Sequence, residues 1–250
     1  MKRQLAERIE ISKETSLANR NVSMSNQIIQ AAHSLTLSEK RIVSAALAQL
    51  DSITKVPATK PIRITGLEFA DCFQIDDSTA YGQLKDGSQS LFKRYISRAF
   101  EGPSGRKIEK IRWVDRIAYH DGEGYVEISF TTHVAPHLTM LGKQFTTYKL
   151  RQASALRSIH SWRLFENLQQ WESTGRWVVN IEDFHHTMEA TPSYRKNFAQ
   201  LRKWVIEPAV RELQTNANLQ IKWKPVKMGR RVGRLIFEFT PNRQMALALD

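Results

Sequence analysis

Lysine and arginine side chains are concentrated in one window of the 250-residue chain. Between Ser193 and Arg234 the sequence has eleven of them and only two acidic residues, Glu207 and Glu212. The window supplies most of the chain's net charge of +12, because the remaining residues are nearly balanced. Ammonium and guanidinium groups donate charge-assisted hydrogen bonds to anionic oxygens, so a cluster of this kind is typical of a surface that binds a polyanion.

Nucleic acid and an anionic membrane surface are both acidic partners that would suit such a cluster. A membrane-binding protein is expected to carry its basic residues on one long amphipathic helix, or to have a lipidation signal. Here the basic residues are divided between a helix and a hairpin, and the sequence has no lipidation signal. This division favours nucleic acid, and we expect no membrane partner.

The rest of the sequence is that of a soluble globular protein. It has no apolar run of the ~18–20 residues that a membrane-spanning helix requires. The leading segment MKRQLAERIEISKE lacks the apolar core of a secretory signal. The single cysteine, Cys72, cannot form an internal disulfide, and we expect it to be a buried residue beside Phe69 and Phe73. These features predict a cytoplasmic protein.

Catalytic and metal-binding patterns are missing from the sequence. It has no GxxxxGK[ST] loop, so no ATP-driven motor is expected. His133 and His137 have the spacing of a helical metal-binding pair, but Pro136 between them breaks such a helix. His185 and His186 are adjacent and would point apart. We therefore expect no catalytic activity, no metal site and no cofactor.

The first half of the chain follows a definite order of predicted elements. A helix begins after Thr36 or Ser38, and Thr36 and Glu39 have the spacing of a capping box. The next segments predict a strand, PIRIT, a helix, GLEFADCFQI, and a further helical stretch through SQSLFKRYI, which Gly82 and Gly87 weaken. Two strands follow, IEKIRWVDRIAYH and YVEISFT, joined by the turn DGEG.

The second half repeats this order, with the helix SIHSWRLFENLQQWE, the strand WVVNI, the helix EDFHHTM, a basic helix from Ser193 and a hairpin ending in FEFT. Helix, strand, helix, helix and hairpin is the order of a winged-helix domain. We therefore predict an α+β protein of two tandem winged-helix domains related by internal duplication; one mixed α+β domain is the alternative. The predicted divisions are a flexible polar tail over residues 1–22, an N-terminal domain over 23–141 and a C-terminal domain over 142–250.

Four aromatic residues of the second half could also bind nucleic acid, because exposed aromatic rings stack on bases. They are Trp162, Phe165, Trp171 and Trp177. Apolar residues flank them at regular intervals, which indicates that they belong to the core.

The basic helix has two distinct faces if it continues unbroken from Ser193. At about 100° per residue, the apolar residues Phe198, Leu201, Val205 and Ala209 point inward. Lys196, Gln200 and Lys203 then point outward together. Lysine can donate to guanine and glutamine can pair with adenine, so this face suits the major groove of DNA. The predicted DNA contacts of the helix are Ser193, Arg195, Lys196, Asn197, Gln200, Arg202 and Lys203.

The hairpin after the helix places basic residues at its turn. Gly229 and Gly233 permit a tight or bulged turn with Arg230 and Arg231 at the tip. Pro225 indicates that its strand has a free edge or a bulge. Arginines at a tip suit contacts to phosphate or to the minor groove, which position a protein on DNA. The predicted DNA contacts of the hairpin are Lys227, Arg230, Arg231 and Arg234.

Several segments, taken in their order and spacing, give the chain a family resemblance. They are SNQIIQAAHSLTLSEKRIVSAAL, YVEISFTTHVAPHLTML, FTTYKLRQASALRSIHSWRLFENLQQW, SYRKNFAQLRKWVIEPAVREL and KMGRRVGRLIFEF. From about Val22 to Thr240 the chain resembles the replication initiator (Rep) proteins of iteron-containing theta-replicating plasmids. The resemblance implies two winged-helix domains in a protein of the bacterial cytoplasm that binds specific double-stranded DNA and catalyses no reaction.

The resemblance also implies a division of labour between the domains. In this family the C-terminal domain reads the iteron, here through the Ser193–Lys203 face and the Arg230–Arg231 wing. The N-terminal domain mediates dimerisation and contacts the DNA backbone; its candidates here are Lys85, Lys93, Arg94 and Arg98. Family monomers bind tandem iterons and open the origin with host DnaA and the DnaB helicase, while homodimers repress their own promoter through an inverted-repeat operator. A winged-helix transcriptional repressor without a replication role is the alternative, although one copy of the fold would suit it better.

Overall fold

The structure, a computed structural model, describes residues 16–31, 34–50, 59–139 and 144–241, with the backbone alone for residues 98–102 and 106. The helices are α1 (Asn26–Gln30), α2 (Leu37–Leu47), α3 (Gly66–Phe73), α4 (Asp77–Leu91), α5 (Arg151–Ser154), α6 (Ile159–Gln169), α7 (Ile181–Thr187), α8 (Pro192–Lys196), α9 (Phe198–Leu201) and α10 (Glu207–Asn216). The strands are β1 (Asn21–Ser25), β2 (Ile62–Thr65), β3 (Tyr95–Gly102), β4 (Gly105–Arg112), β5 (Val114–His120), β6 (Tyr125–Phe130), β7 (Phe145–Lys149), β8 (Arg176–Asn180), β9 (Leu219–Met228) and β10 (Arg231–Pro241). Short 3-10 turns lie at Leu17–Asn19 and Ala135–His137, and a π-helical turn spans Arg202–Ile206.

These elements form two compact units. The first unit comprises the residues up to Ser25 together with Leu35–Tyr95 and Lys110–Ala155, and the second comprises Asn26–Ser34, Ile96–Glu109 and the residues from Leu156 onward. The predicted division between residues 141 and 142 falls outside the described residues, as do residues 1–15 of the predicted tail. Within that tail, residues 16–22 form a 3-10 turn and the start of β1, which pairs antiparallel with β7.

In the first unit helices α2, α3 and α4 contact a three-stranded antiparallel sheet, whose strand order is β2-β6-β5. Helix α2 begins as predicted, because Thr36 accepts from the Glu39 amide and Glu39 accepts from the Thr36 amide. Gly87 does not interrupt α4. A Cβ at that position would lie 2.6 Å from Ile42 Cδ1, so the glycine allows α4 to pack closely on α2.

In the second unit the sheet order is β8-β10-β9, again with the strand before the second helix paired to the last strand of the hairpin. The core of this unit is aromatic. The Phe237 ring centroid lies 5.4 Å from that of Trp177 and 5.9 Å from that of Phe184. Both units thus have the element order and sheet order of a winged helix, which confirms the predicted α+β architecture.

Each of the two hairpins has one irregularity in the pairing of its strands. In the first unit the pairing register shifts between Val114 and Arg116, and in the second it shifts between Val232 and Arg234, at Gly233. Strand β9 is an edge strand, so Pro225, which has no amide hydrogen, is accommodated as predicted.

One region of the first half differs from the prediction. The helical stretch expected through residues 88–96 ends at Leu91, and β3 begins at Tyr95 and pairs with β4 as a separate hairpin. The long strand expected over residues 108–120 is broken at Trp113, whose side chain is fully buried. The Trp113 amide donates to the Arg94 carbonyl oxygen, so the backbone leaves the β5 ladder at this point.

Candidate nucleic-acid interface

Basic side chains from separate elements of the second unit line a single cleft of about 510 Å³. Arg195 and Lys196 come from α8, while Arg230 and Arg231 come from the tip of the β9–β10 hairpin. The cleft is therefore lined by four cationic groups contributed by two elements that are more than thirty residues apart in the sequence. A concave, positively charged surface of this size attracts anionic groups such as phosphates.

The segment that carries the first two cations is not the single helix that the sequence predicts. Helix α8 ends at Lys196, and Asn197 has an extended backbone, with φ −133° and ψ 98°. The Asn197 side chain accepts from the Gln200 amide at 3.3 Å and so caps α9. Asparagine competes for local backbone hydrogen bonds in this way, which explains why the helix breaks here.

This break changes the predicted outer face. Lys196, Gln200 and Lys203 were assigned to one face at a uniform 100° per residue, and that geometry is wrong because they lie on α8, on α9 and on the π-helical turn. All three are exposed. Within the described part of the chain, the lining of the cleft includes Lys196 but neither Gln200 nor Lys203. The inward face was predicted well, since Leu201, Val205 and Ala209 are buried and Phe198 is half-buried.

Arg195 holds this segment in place. Its Nε donates to the Ala190 carbonyl oxygen at 2.8 Å, and a terminal nitrogen donates to the His185 carbonyl oxygen at 3.5 Å. These carbonyls lie at and beyond the end of α7, so the guanidinium links α7 to α8. Burial lowers the pKa of His185, and the positive charge of Arg195 lowers it further. Arg195 is therefore a structural bridge as well as a cation of the cleft.

The π-helical turn follows from the position of Pro208. Proline has no amide hydrogen and its ring clashes with the carbonyl four residues earlier, so a regular α-helix cannot pass through it. Instead the Glu207 amide donates to the Arg202 carbonyl oxygen, five residues back, and α10 then starts with Pro208 in its first turn. In this turn Arg202 forms an ion pair with Glu207, with Nε and Oε1 2.6 Å apart. The Lys203 ammonium lies 4.8 Å from the centre of the Trp204 ring.

The hairpin is built as predicted at its tip. Gly229 has φ +66°, a left-handed conformation that favours glycine, and Arg230 completes the turn. Arg230, Arg231, Lys227 and Arg234 are all exposed. Arg230 and Arg231 line the cleft, and Lys227 does not. Arg234 lines a different hollow with Trp171, Asn180 and Asp183.

Some residues of the cleft were not among the predicted contacts. Glu182 and Phe198 line it beside the four cations, and Glu182 is exposed at the start of α7. Since Asn180 at the end of β8 pairs with Arg234 of β10, the start of α7 lies on the side of the hairpin tip. The sequence did indicate where Glu182 lies along the chain, because it predicted the boundary between β8 and α7 at Ile181. Ser193 and Asn197 are exposed but do not line the cleft within the described part of the chain.

The basic residues predicted for the first unit are in three different situations. Lys85 forms an ion pair with Asp121, its Nζ 2.9 Å from Oδ1. Arg94 donates through Nε to both carboxylate oxygens of the fully buried Glu39, at 2.9 and 3.0 Å. Lys93 is exposed, and the side chain of Arg98 lies outside the described residues. Two of these four cations are therefore already bound to carboxylates of the protein.

Two further features, a metal-type cluster and a membrane-spanning helix, are absent from the part of the chain that the structure describes. Nowhere within 16–31, 34–50, 59–139 and 144–241 do three or more His, Cys, Asp or Glu side chains gather as a metal site requires. In the same ranges, every helix is too short or too polar to cross a membrane. Cys72 is buried, as predicted, and burial raises the pKa of its thiol to about 12.

Comparison with known families identifies the chain. The model of the initiator replication protein WH1 domain matches residues 21–169, and that of the initiator Rep protein WH2 domain matches residues 180–239. The chain belongs to the plasmid replication initiator family. The WH1 match extends through α6, a helix of the second unit, and the WH2 match lies within that unit.

Named relatives agree with this assignment. The initiator is 23% identical over 236 residues to a replication initiation protein of Escherichia coli, which covers 92% of this chain and 72% of the relative. It is 24% identical over 265 residues to the PI protein of Escherichia coli, which covers 92% and 84%. An uncharacterized 27.6 kDa protein of the same species is 25% identical over 213 residues, covering 81% and 88%.

A solved structure shares the fold. The crystal structure of the Pi initiator protein in complex with iteron DNA has a TM-score of 0.77 to this chain at 22% identity, and covers 90% of this chain and 99% of that one. At this identity the likeness shows the fold alone.

Proposed function

We propose that this initiator starts plasmid replication by binding tandem iterons of double-stranded origin DNA, and that it acts as a binding protein without catalysis. The observation that carries the proposal is the cleft of the second unit, which Arg195 and Lys196 on the recognition segment (α8 and α9) line together with Arg230 and Arg231 on the wing. A short helix beside a basic wing is the arrangement with which winged-helix proteins place side chains in the major groove and hold the flanking phosphates. The solved relative that shares this fold is described in complex with iteron DNA, which supports the proposal.

The proposed roles divide between the two domains. The C-terminal domain, placed at residues 142–250, reads the iteron, and the N-terminal domain, placed at residues 23–141, mediates dimerisation and adds backbone contacts. As a monomer the protein binds iterons and opens the origin with host DnaA and the DnaB helicase, in the bacterial cytoplasm. As a homodimer it represses its own promoter at an inverted repeat, because a two-fold dimer matches an inverted site but not repeats that point the same way.

The test begins with selection of duplexes from a random-sequence pool by the full-length protein. We expect one motif of roughly 20 base pairs, about two helical turns, and tandem copies of it in the DNA that flanks the gene. Binding to one copy should depend on the first power of protein concentration under conditions where sedimentation shows monomer, whereas binding to an inverted pair should depend on the second power. No enriched motif would refute specific DNA binding. Second-power binding to a single copy would refute the monomer as the iteron-binding species.

A further inference from the structure

The turn at the tip of the wing differs in chemistry between the two units. In the second unit the turn between β9 and β10 contains Gly229 and Arg230. In the first unit the turn between β5 and β6 occupies the same place in the fold and contains Asp121, Gly122, Glu123 and Gly124. A cation therefore stands at one tip and a carboxylate at the other.

The first unit's turn is tied to the helix beside it. Helix α4 is the third helix of this winged helix, the place that the helical segment starting with α8 and α9 takes in the second unit. Two donors one turn apart on α4 reach the same carboxylate: the Tyr81 hydroxyl donates to Asp121 Oδ1 at 2.6 Å, and Lys85 Nζ donates to Oδ1 at 2.9 Å and to Oδ2 at 3.1 Å. We call Tyr81, Lys85 and Asp121 the wing latch.

The backbone sets the position of the latch. The Gly66 amide donates to the Gly124 carbonyl oxygen at 2.9 Å, which fixes the end of the turn against the start of α3. A Cβ at Gly66 would lie 3.2 Å from Tyr81 Cβ, so the glycine lets α4 approach the same point. These two contacts hold the turn close to α4 independently of the charges on Lys85 and Asp121.

The ionisation states suit a latch at neutral pH. The hydrogen bond from Lys85 lowers the pKa of Asp121, and the bond from Tyr81 lowers it further, so the carboxylate stays ionised. Desolvation and the hydrogen bond to Asp121 raise the pKa of Tyr81 to about 12, so the phenol keeps its proton and remains a donor. An ammonium and a phenol that converge on one anion are also the donors that proteins offer to a DNA phosphate.

We propose that Asp121, as an internal anion, occupies donors on α4 that would otherwise bind phosphate, and that the wing latch withholds Lys85 from duplex DNA at the recognition surface of the first unit. The corresponding surface of the second unit is open, because its wing tip and its recognition segment both carry cations. The proposal rests on duplex DNA being the partner of this initiator. Lys85, which the sequence predicts as a DNA contact, is then bound to Asp121 in the resting protein and can reach phosphate only when that ion pair breaks.

The pair is exposed, with 32% of the Lys85 side chain and 67% of the Asp121 side chain accessible, so the latch is weak and a small change can release it. Asp121→Asn keeps the shape of the side chain and removes the charge that holds Lys85. A released Lys85 can contact one phosphate. We expect full-length Asp121→Asn to bind a random-sequence duplex about three- to fivefold more tightly than wild type. The slope of log K against log salt should be steeper by about one.

Glu123→Gln is the matched control, because it removes one negative charge from the same turn without touching the latch. Glu123 pairs at 3.7 Å with Arg63, which lies on β2 and is stacked on the Tyr125 ring. In the double variant Asp121→Asn/Lys85→Gln the gain should disappear. Asp121→Ser also removes the charge that holds Lys85, and it gives the same reading if Asp121→Asn fails to fold.

The measurement is fluorescence anisotropy of a labelled duplex over a series of salt concentrations, with thermal unfolding to check each variant. Equal affinities of Asp121→Asn and Glu123→Gln would overturn the latch, as would a gain that survives the addition of Lys85→Gln. Each of these results leaves wild-type DNA binding intact. A wild-type protein that binds no duplex would instead refute the proposed function, and the latch with it.

Discussion

The two winged-helix units of this initiator have the same scaffold and opposite surfaces. In each, the strand before the second helix pairs with the last strand of the wing, giving the orders β2-β6-β5 and β8-β10-β9. In the second unit Arg230 at the wing tip and Lys196 on the recognition segment line an open cleft. In the first, Asp121 at the wing tip is hydrogen-bonded to Lys85 on the helix. The backbone therefore fixes where helix and wing meet, and a few charged side chains decide whether a ligand can enter there.

The interiors differ as well. The sheet of the first unit buries the aliphatic residues Ile64, Val126 and Ile128 with a single fully buried ring, Phe130, at the end of β6. The sheet of the second buries rings, with Phe237 at the centre of a group that includes Trp177 and Phe184. A ring in such a group buries more surface and contributes contacts from several sides.

The largest expected effect tests this difference in the cores. Phe237→Ala should lower the free energy of unfolding by ~3–5 kcal/mol, because it leaves a cavity among rings that cannot close it. The sheet that carries the Arg230–Arg231 tip should loosen with it. Urea unfolding at equilibrium provides the measurement, with Ile128→Ala as the corresponding change in the first unit. A loss below ~1 kcal/mol for Phe237→Ala would show that the ring group does not stabilise the second unit.

The next effect tests whether the cationic tip binds phosphate. Arg230→Ala/Arg231→Ala should weaken specific and random duplex binding alike, by on the order of 100-fold if each lost contact to phosphate costs ~1.5 kcal/mol. The slope of log K against log salt should become shallower by about two. Arg176→Ala/Lys222→Ala is the control, because both residues flank Glu238 at the far end of the hairpin. An unchanged slope in the tip variant would remove the wing from the interface.

A smaller effect separates base reading from phosphate binding. Lys196→Ala should reduce the discrimination between specific and random duplex by ~1–3 kcal/mol, since Lys196 lines the cleft. Gln200→Ala and Lys203→Ala should cost less, because the break at Asn197 turns them away from it. Gln83→Ala on α4 should cost nothing. Competition binding at fixed salt is the measurement, and wild-type discrimination in all three of the first variants would mean that this segment does not read bases.

Local patterns in the sequence were sufficient for much of the fold. The start of α2 was predictable because Thr36 and Glu39 form their hydrogen bonds within one turn. The break at Asn197 was not, since an asparagine fits an exposed helix position and a cap, and tertiary contacts such as the Arg195 bridge to Ala190 decide between them. Trp171 was predicted to be buried with the other aromatic residues, and that was wrong: it lies beyond the end of α6 and is 43% exposed.

Contacts between residues that are far apart in the sequence limited how much of the candidate site could be predicted. The clustering of cations at the Arg230–Arg231 tip was visible in the sequence, because the turn and its basic residues are contiguous. The engagement of Arg94 by Glu39 was not, since 55 residues separate them and both charges looked free. The same holds for Lys85 and Asp121, which only the pairing of β5 with β6 and the packing of α4 bring together.

The π-helical turn at Arg202–Ile206 makes the phase of the recognition segment depend on chain length. A π turn holds one more residue than an α turn between the same two axial levels, and each helical residue advances the chain by about 100°. Removing any one residue between Arg202 and Ile206 would rotate everything before it by about a quarter of a revolution relative to α10. Lys196 would then leave the cleft while keeping its identity and its neighbours in sequence. Relatives with and without this extra residue will present different side chains to DNA from positions that align in sequence. Their recognition residues therefore have to be matched by their direction around the helix axis and not by their position in a sequence alignment.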